Sequence, residues 1–154
     1  AELVTLWPVL NSSPPRTQTV STVVHDAHLA VGYDTGEIVL TPVSVALIED
    51  EYGVEAAAES HKTLIGHRGK VTCLFAPDSH TFGKKYLMSG GEDCVVRMWG
   101  LNDGKPLAAF ATHAQPVTSF LEPPSDVGTR LRGCVVSVAR DNSACVISLE
   151  EMSW

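Results

Sequence analysis

Three stretches of this chain repeat one pattern: an apolar run, a small residue, an aspartate, then a second apolar run. They are residues 28–40 (HLAVGYDTGEIVL), 87–99 (LMSGGEDCVVRMW) and 135–147 (VVSVARDNSACVI). Aliphatic and β-branched flanks suit strands, and an aspartate between them caps the local backbone amides. Each stretch therefore predicts two antiparallel strands joined by a tight turn. The turn aspartates Asp34, Asp93 and Asp141 lie 59 and 48 residues apart. A recurring unit of this size buries its faces by stacking on its neighbours, so the repetition predicts an array of sheets.

Composition agrees with that array. Of 154 residues, 44% are hydrophobic, 19% charged and 6% aromatic, which points to aliphatic β-structure rather than a charged helical bundle. The net charge of −7 speaks against a broad electrostatic footprint for nucleic acid. No apolar run approaches the ~18 residues of a membrane span, and no signal peptide is visible. The absence of an initiating methionine is expected of a fragment or a processed chain. The charge is uneven: residues 1–62 carry −7 and residues 63–154 carry zero. Its densest part, Glu49 to Glu59, reads as a solvated insertion, with an acidic docking segment as the minority reading.

Cys73, Cys94, Cys134 and Cys145 sit in apolar runs and form no C-x-x-C pair, so they are expected as four buried free thiols. His25 and His28 have close spacing, but no second ligand pair follows, and no metal is expected. His61 and His80, like His25 and His28, read as turn or surface residues.

The middle repeat is the most complete. Gly66-His67 precedes a strand at Val71–Phe75; Leu87–Gly90 follows; Asp93 makes the turn; Val95–Trp99 is the third strand; Asp103-Gly104 turns into Pro106–Phe110. This resembles a blade of the WD-repeat family, with Gly66-His67 as its glycine-histidine signature and Trp99-Gly100 where Trp-Asp is usual. A WD repeat runs ~40–45 residues over four strands, so the intervals here fit one blade plus an insertion. The fold class expected is all-β: a WD-repeat β-propeller, about three four-stranded blades forming an open arc of a larger propeller. The blade segments are about 3–9, 19–48, 63–110 and 113–150, with the acidic insertion at about 49–62. Further insertions are expected at about 78–84 and 122–132, between the first and second strands of their blades.

The same resemblance implies a buried hydrogen-bond network of Trp99, Ser89, His67 and Asp93. The residue types suit it: indole only donates, hydroxyl and neutral imidazole do both, carboxylate accepts. In the last repeat His113, Ser137 and Asp141 hold the matching places, with Ile147 for the tryptophan. In the first, Asp34 remains while Ala30 and Leu40 replace serine and tryptophan. Ser89, His67 and Asp93 also invite reading as a hydrolase triad. That reading lacks a G-x-S-x-G elbow and an oxyanion loop, so no catalytic residue and no cofactor are expected.

Residues 62–74 (KTLIGHRGKVTCL), the run Tyr86–Gly91, and Cys134–Leu149 are similar to the rabconnectin-3 beta subunit family (WD repeat-containing proteins seven and seventy-two), as are Gly32–Val39 and Pro123-Pro124. The resemblance implies a non-enzymatic scaffold on the cytoplasmic side of endosomes and secretory vesicles, bound to the membrane only through its partners. Those partners would be a rabconnectin-3 alpha-like subunit and subunits of the vacuolar proton pump (V-ATPase), with ties to Rab GTPase regulation. From the residues alone comes only a protein-binding module, with Arg68, Lys70, Glu92, Gln115, Arg140 and Asn142 as the candidate partner surface near the strand turns. A WD-repeat adaptor of an unrelated complex, in ubiquitin ligation or coat assembly, is the main alternative; a hydrolase is the distant one.

Overall fold

The computed structural model describes residues 17–24, 28–43, 62–77, 86–101, 103–123 and 133–149. The expected strand at residues 3–9, most of the acidic insertion, the insertions at 78–84 and 124–132, and His25, His61 and His80 lie outside them.

Eleven strands are present among the described residues: β1 Gln18–Val24, β2 His28–Tyr33, β3 Ile38–Pro42, β4 Lys62–Leu64, β5 Val71–Phe75, β6 Tyr86–Gly91, β7 Val96–Gly100, β8 Pro106–Phe110, β9 Val117–Leu121, β10 Cys134–Ala139 and β11 Ala144–Ser148. They form three antiparallel meanders in chain order: β1-β2-β3-β4, β5-β6-β7-β8 and β9-β10-β11. The chain is thus all-β, built as successive propeller blades. β4 pairs with β3, Ile38 opposite Leu64 and Leu40 opposite Lys62. The strand read with the middle segment in the sequence therefore closes the first sheet, and Lys62 belongs to it rather than to the insertion.

Strand alternation decides which side chains meet between sheets. From the first sheet, Ala30, Ile38, Leu40 and Leu64 pack against Val71, Leu87, Trp99 and Leu101. The opposite face of the second sheet sends Tyr86, Met88, Val96 and Met98 against Val117, Val135, Ile147 and Leu149 of the third. Phe75 and Phe120 stack across that junction with centroids 6.1 Å apart.

All three turns between second and third strands have one residue in the left-handed region: Gly36 (φ 92°), Cys94 (φ 67°) and Asn142 (φ 65°). This match sets the alignment of the repeats. It puts Thr35, not Asp34, level with Asp93, and the strand pairing puts Val31 and Thr41, not Ala30 and Leu40, level with Ser89 and Trp99. Ala30 and Leu40 instead face the second sheet. Asp34 stands one place earlier in its turn, where its N–H donates to Thr17 O (2.9 Å) and its carboxylate accepts the Thr17 N–H (3.0 Å).

All four cysteines are free; Cys73 and Cys134 are buried, but Cys94 and Cys145 are only half-buried. Cys94 is on a turn because the apolar run around it is interrupted by the glycine-like backbone position it occupies. A side chain in the left-handed region costs about 1–2 kcal/mol, so Cys94→Gly is expected to raise stability by about 0.5–1 kcal/mol in urea denaturation. Burial pushes the Cys73 thiol up to about 11, so it is protonated at neutral pH and packs as an apolar group.

Candidate functional site

The network in the second sheet runs from an indole to a carboxylate. Trp99 Nε1–H donates to Ser89 Oγ at 2.9 Å. Ser89 Oγ lies 2.7 Å from His67 Nε2, and His67 Nδ1 is 3.1 Å from each oxygen of Asp93. Since indole can only donate, the serine hydrogen goes to Nε2, and the Nδ1 hydrogen goes to Asp93. Asp93 also accepts the backbone N–H of Arg68 (3.0 Å) and of Val95 (3.2 Å), tying the loop before β5 to the β6–β7 turn. The pleat makes this possible: Leu87, Ser89 and Gly91 share one face of β6, and Trp99 lies on the same face of β7. Gly91 clears the path, since a Cβ there would sit 2.6 Å from Asp93 Oδ1 and 2.7 Å from His67 Nδ1.

Electrostatics hold the network in one protonation state. Burial pulls His67 below its ordinary 6.5 against the opposing pull of Asp93, and Arg97 adds to the lowering. Burial alone would raise Asp93, but the Arg68 N–H, His67 and the Val95 N–H together outweigh it and leave its carboxyl below 3.8. The unfolded chain therefore takes up the imidazole proton first as pH falls through 6.5, while folded His67 stays neutral. Its contribution is complete above that pH and shrinks below it; the part from Asp93 is lost only at lower pH, as pH falls through the depressed carboxyl value. The urea midpoint is expected to drop between about pH 7.5 and 5, and to drop less in His67→Asn. Equal slopes in the two proteins would contradict this.

The third sheet builds a different version. His113 Nε2 is 2.8 Å from Ser137 Oγ, but its Nδ1 faces Ser143 Oγ at 3.0 Å, and Ser143 Oγ donates to Asp141 at 2.7 Å. A serine thus bridges the histidine to the aspartate. Two positions differ from the second sheet: Ala139 stands level with Gly91, where a Cβ would lie between histidine and aspartate, and Ser143 stands level with Val95. Asp141 is held below 3.8 by hydrogen bonds from the Ser143 hydroxyl and N–H. Ser143 and Gly91 were not singled out in the sequence. The signal for both was the residue two places either side of the turn aspartate.

Ser89, His67 and Asp93 do meet in the order of a hydrolase triad, but the serine is 0% exposed and its oxygen already accepts the indole hydrogen. A nucleophile needs open space at its oxygen. This serine is a structural link. Arg97, on the same side of β7, places its guanidinium 3.0–3.1 Å from where a Cβ on Gly66 would sit, so the glycine of the Gly66-His67 pair makes room for it.

Arg68, Lys70, Glu92, Gln115, Arg140 and Asn142 lie on one rim, at the starts of β5 and β9 and in the turns after β6 and β10. Arg68, Glu92, Arg140 and Asn142 are exposed, as are Lys70 and Gln115. Lys70 Nζ is 3.5 Å from Glu92 Oε1 in an ion pair with both side chains about half exposed, a contact that adds little stability and leaves both groups accessible. Backbone bonds hold the rim in shape: Glu92 N–H to Lys70 O and Arg140 N–H to Pro116 O, each 2.9 Å.

Stacked antiparallel meanders are the architecture of β-propeller blades, and the second of them adds a glycine-histidine loop and an indole-to-carboxylate relay. Residues 58–100 match the family described as WD domain, G-beta repeat. WD repeat-containing protein 72 from Pongo abelii and from Homo sapiens are each 28% identical over 130 residues, covering 81% of this chain. U3 small nucleolar RNA-interacting protein 2 from Mus musculus is 32% identical over 62 residues, 38% of the chain. The chain spans 12% of the length of each of these relatives. Among solved structures, the computationally designed Ika8 protein aligns with a TM-score of 0.60 at 21% identity, over 86% of this chain and 33% of its own. The computationally designed Ika4 protein aligns at 0.59 and 19%, over 85% and 65%. These structural likenesses speak to the fold.

Proposed function

We propose that the chain is part of a non-enzymatic scaffold that supports assembly and activity of the vacuolar proton pump. It would act on the cytoplasmic face of endosomal and secretory vesicles, with a rabconnectin-3 alpha-like subunit and pump subunits as partners. The observation that carries this reading is the extent of the likeness to WD repeat-containing protein 72. It runs over 130 residues, well beyond the 58–100 window of the general repeat. The chemistry of the site is consistent with a scaffold: its polar network is satisfied internally, and the accessible charges stand on the rim, where partner recognition takes place.

Affinity purification of the full-length parent protein, followed by mass spectrometry, tests the proposal. Recovery of proton-pump subunits together with a rabconnectin-type partner is the expected result. Recovery of ubiquitin-ligase, coat or small nucleolar ribonucleoprotein subunits in their place would overturn it.

A further inference from the structure

Arg97 carries a charge that no described side chain answers. Its Nε is buried without a hydrogen-bond partner, and the ion pairs among the described residues join His67 to Asp93 and Lys70 to Glu92 instead. Asp93 is taken up by His67 and by the N–H groups of Arg68 and Val95. His67 gives no relief either, since the nearby guanidinium is one of the causes that keep its imidazole neutral. Withdrawing part of a cation from water without a partner is costly, so a group of this kind calls for a reason.

The sheet itself does not require the charge. Arg97 stands opposite Ser89, and the residues level with it in the other two sheets are Val39 and Cys145, both apolar. A second position makes room for it. The guanidinium lies along Gly66, where a Cβ would sit 3.0 Å from Nη1 and 3.1 Å from Cδ and Cζ. Gly66 is not in the left-handed region, so its backbone does not ask for glycine. In the third sheet, where Cys145 stands in place of the arginine, the residue before the relay histidine is Thr112. The glycine and the arginine are present together and absent together. Ser89, fully buried, closes one side of Arg97, whereas Ala109, its partner on β8, is exposed and carries only a methyl. Arg97 as a whole is half-buried, so Nε is sealed while the outer edge of the guanidinium reaches solvent. Ile65, one residue before Gly66, is 74% exposed.

We propose that Arg97 anchors a binding site for an acidic segment of a partner protein, with one carboxylate on the outer edge of the guanidinium and a neighbouring apolar side chain on Ile65. The planar fork matches a carboxylate with two parallel N–H···O bonds. One cation balances the single charge of a carboxylate, whereas a phosphate group brings about −1.5 to −2. An exposed ion pair alone is worth little. Here the sealed Nε has already lost its water, and Ile65 adds apolar contact, so the two residues carry the affinity together. The assignment does not depend on which complex the scaffold serves.

The test uses the full-length parent protein and short synthetic peptides that alternate leucine with glutamate, glutamine or phosphoserine, read by fluorescence anisotropy. The glutamate peptide should bind at least about tenfold more tightly than the glutamine peptide, the size expected of a hydrogen-bonded charge. Arg97→Met should abolish that difference, and Arg97→Lys should restore only part of it, because an ammonium lacks the fork. Ile65→Ser should weaken both peptides alike. Equal binding of glutamate and glutamine peptides would overturn the proposal, as would a preference that survives Arg97→Met; tighter binding of the phosphoserine peptide would overturn the carboxylate assignment. Stability gives a separate check. Arg97→Met keeps the apolar stem and removes the unpaired charge, so its melting temperature should equal or exceed that of the parent. A fall of more than about 3 °C would make Arg97 a structural residue and overturn the site.

Discussion

Trp99→Ala is expected to cost about 3–5 kcal/mol, the usual penalty for emptying a buried aromatic site. The indole is 1% exposed and fills the junction between the first and second sheets against Ile38, Leu40 and Leu87. Its removal opens a cavity at a sheet–sheet contact and strands the Ser89 oxygen without its donor. At about 2–4 °C per kcal/mol for a domain of this size, the melting temperature should fall by roughly 10 °C. Trp99→Phe separates the two effects. It keeps most of the apolar contact and should cost only about 1–2 kcal/mol, the unmade hydrogen bond. The third sheet shows that the rest survives without an indole: Ile147 stands at that position and His113 still bonds Ser137. Ser89→Ala should cost more than Trp99→Phe, since it orphans both the indole N–H and His67 Nε2. Thermal melts of the three variants check the ordering; a Trp99→Ala protein melting within about 2 °C of the parent would refute the cavity argument.

Much of this was legible because period-two patterning and turn chemistry act locally. The three apolar–aspartate–apolar stretches became paired strands; the pleat puts Ser89 and Trp99 on one face, and the loop before β5 and the β6–β7 turn bring His67 and Asp93 to them. What the sequence hid depends on counting residues through turns and on single atoms. Aligning the first repeat on Asp34 slipped it by one place, since an aspartate caps equally well from either of two adjacent turn positions. The left-handed residue at Gly36, Cys94 and Asn142 is the stricter marker, being set by backbone sterics rather than by a side chain. The membership of Lys62–Leu64 was hidden for another reason: a three-residue strand has no readable period and is defined only by its partner.

Gly91→Ala should turn the second sheet's relay into a broken copy of the third, and Val95→Ser should mend it. The glycine's backbone lies outside the left-handed region, so alanine is tolerated there conformationally. Its methyl, however, would enter the contact between His67 and Asp93. Overpacking of this kind costs about 1–3 kcal/mol, and losing a bond to a charged group costs about 1.5–3 kcal/mol, so a net loss of about 2–3 kcal/mol is expected. Val95 is level with Ser143: each N–H caps its turn aspartate, at 3.2 Å and 3.1 Å. In the third sheet a serine at that place accepts from the histidine and donates to the aspartate, beside the methyl of Ala139. Val95→Ser alone should be neutral or mildly destabilising, because a serine there has no gap to bridge. In the Gly91→Ala background it should recover about 1 kcal/mol or more. The interaction energy of that double-mutant cycle, read from urea denaturation, carries the claim. Additive losses would mean that the methyl of Ala139 is not why His113 and Asp141 speak through a serine.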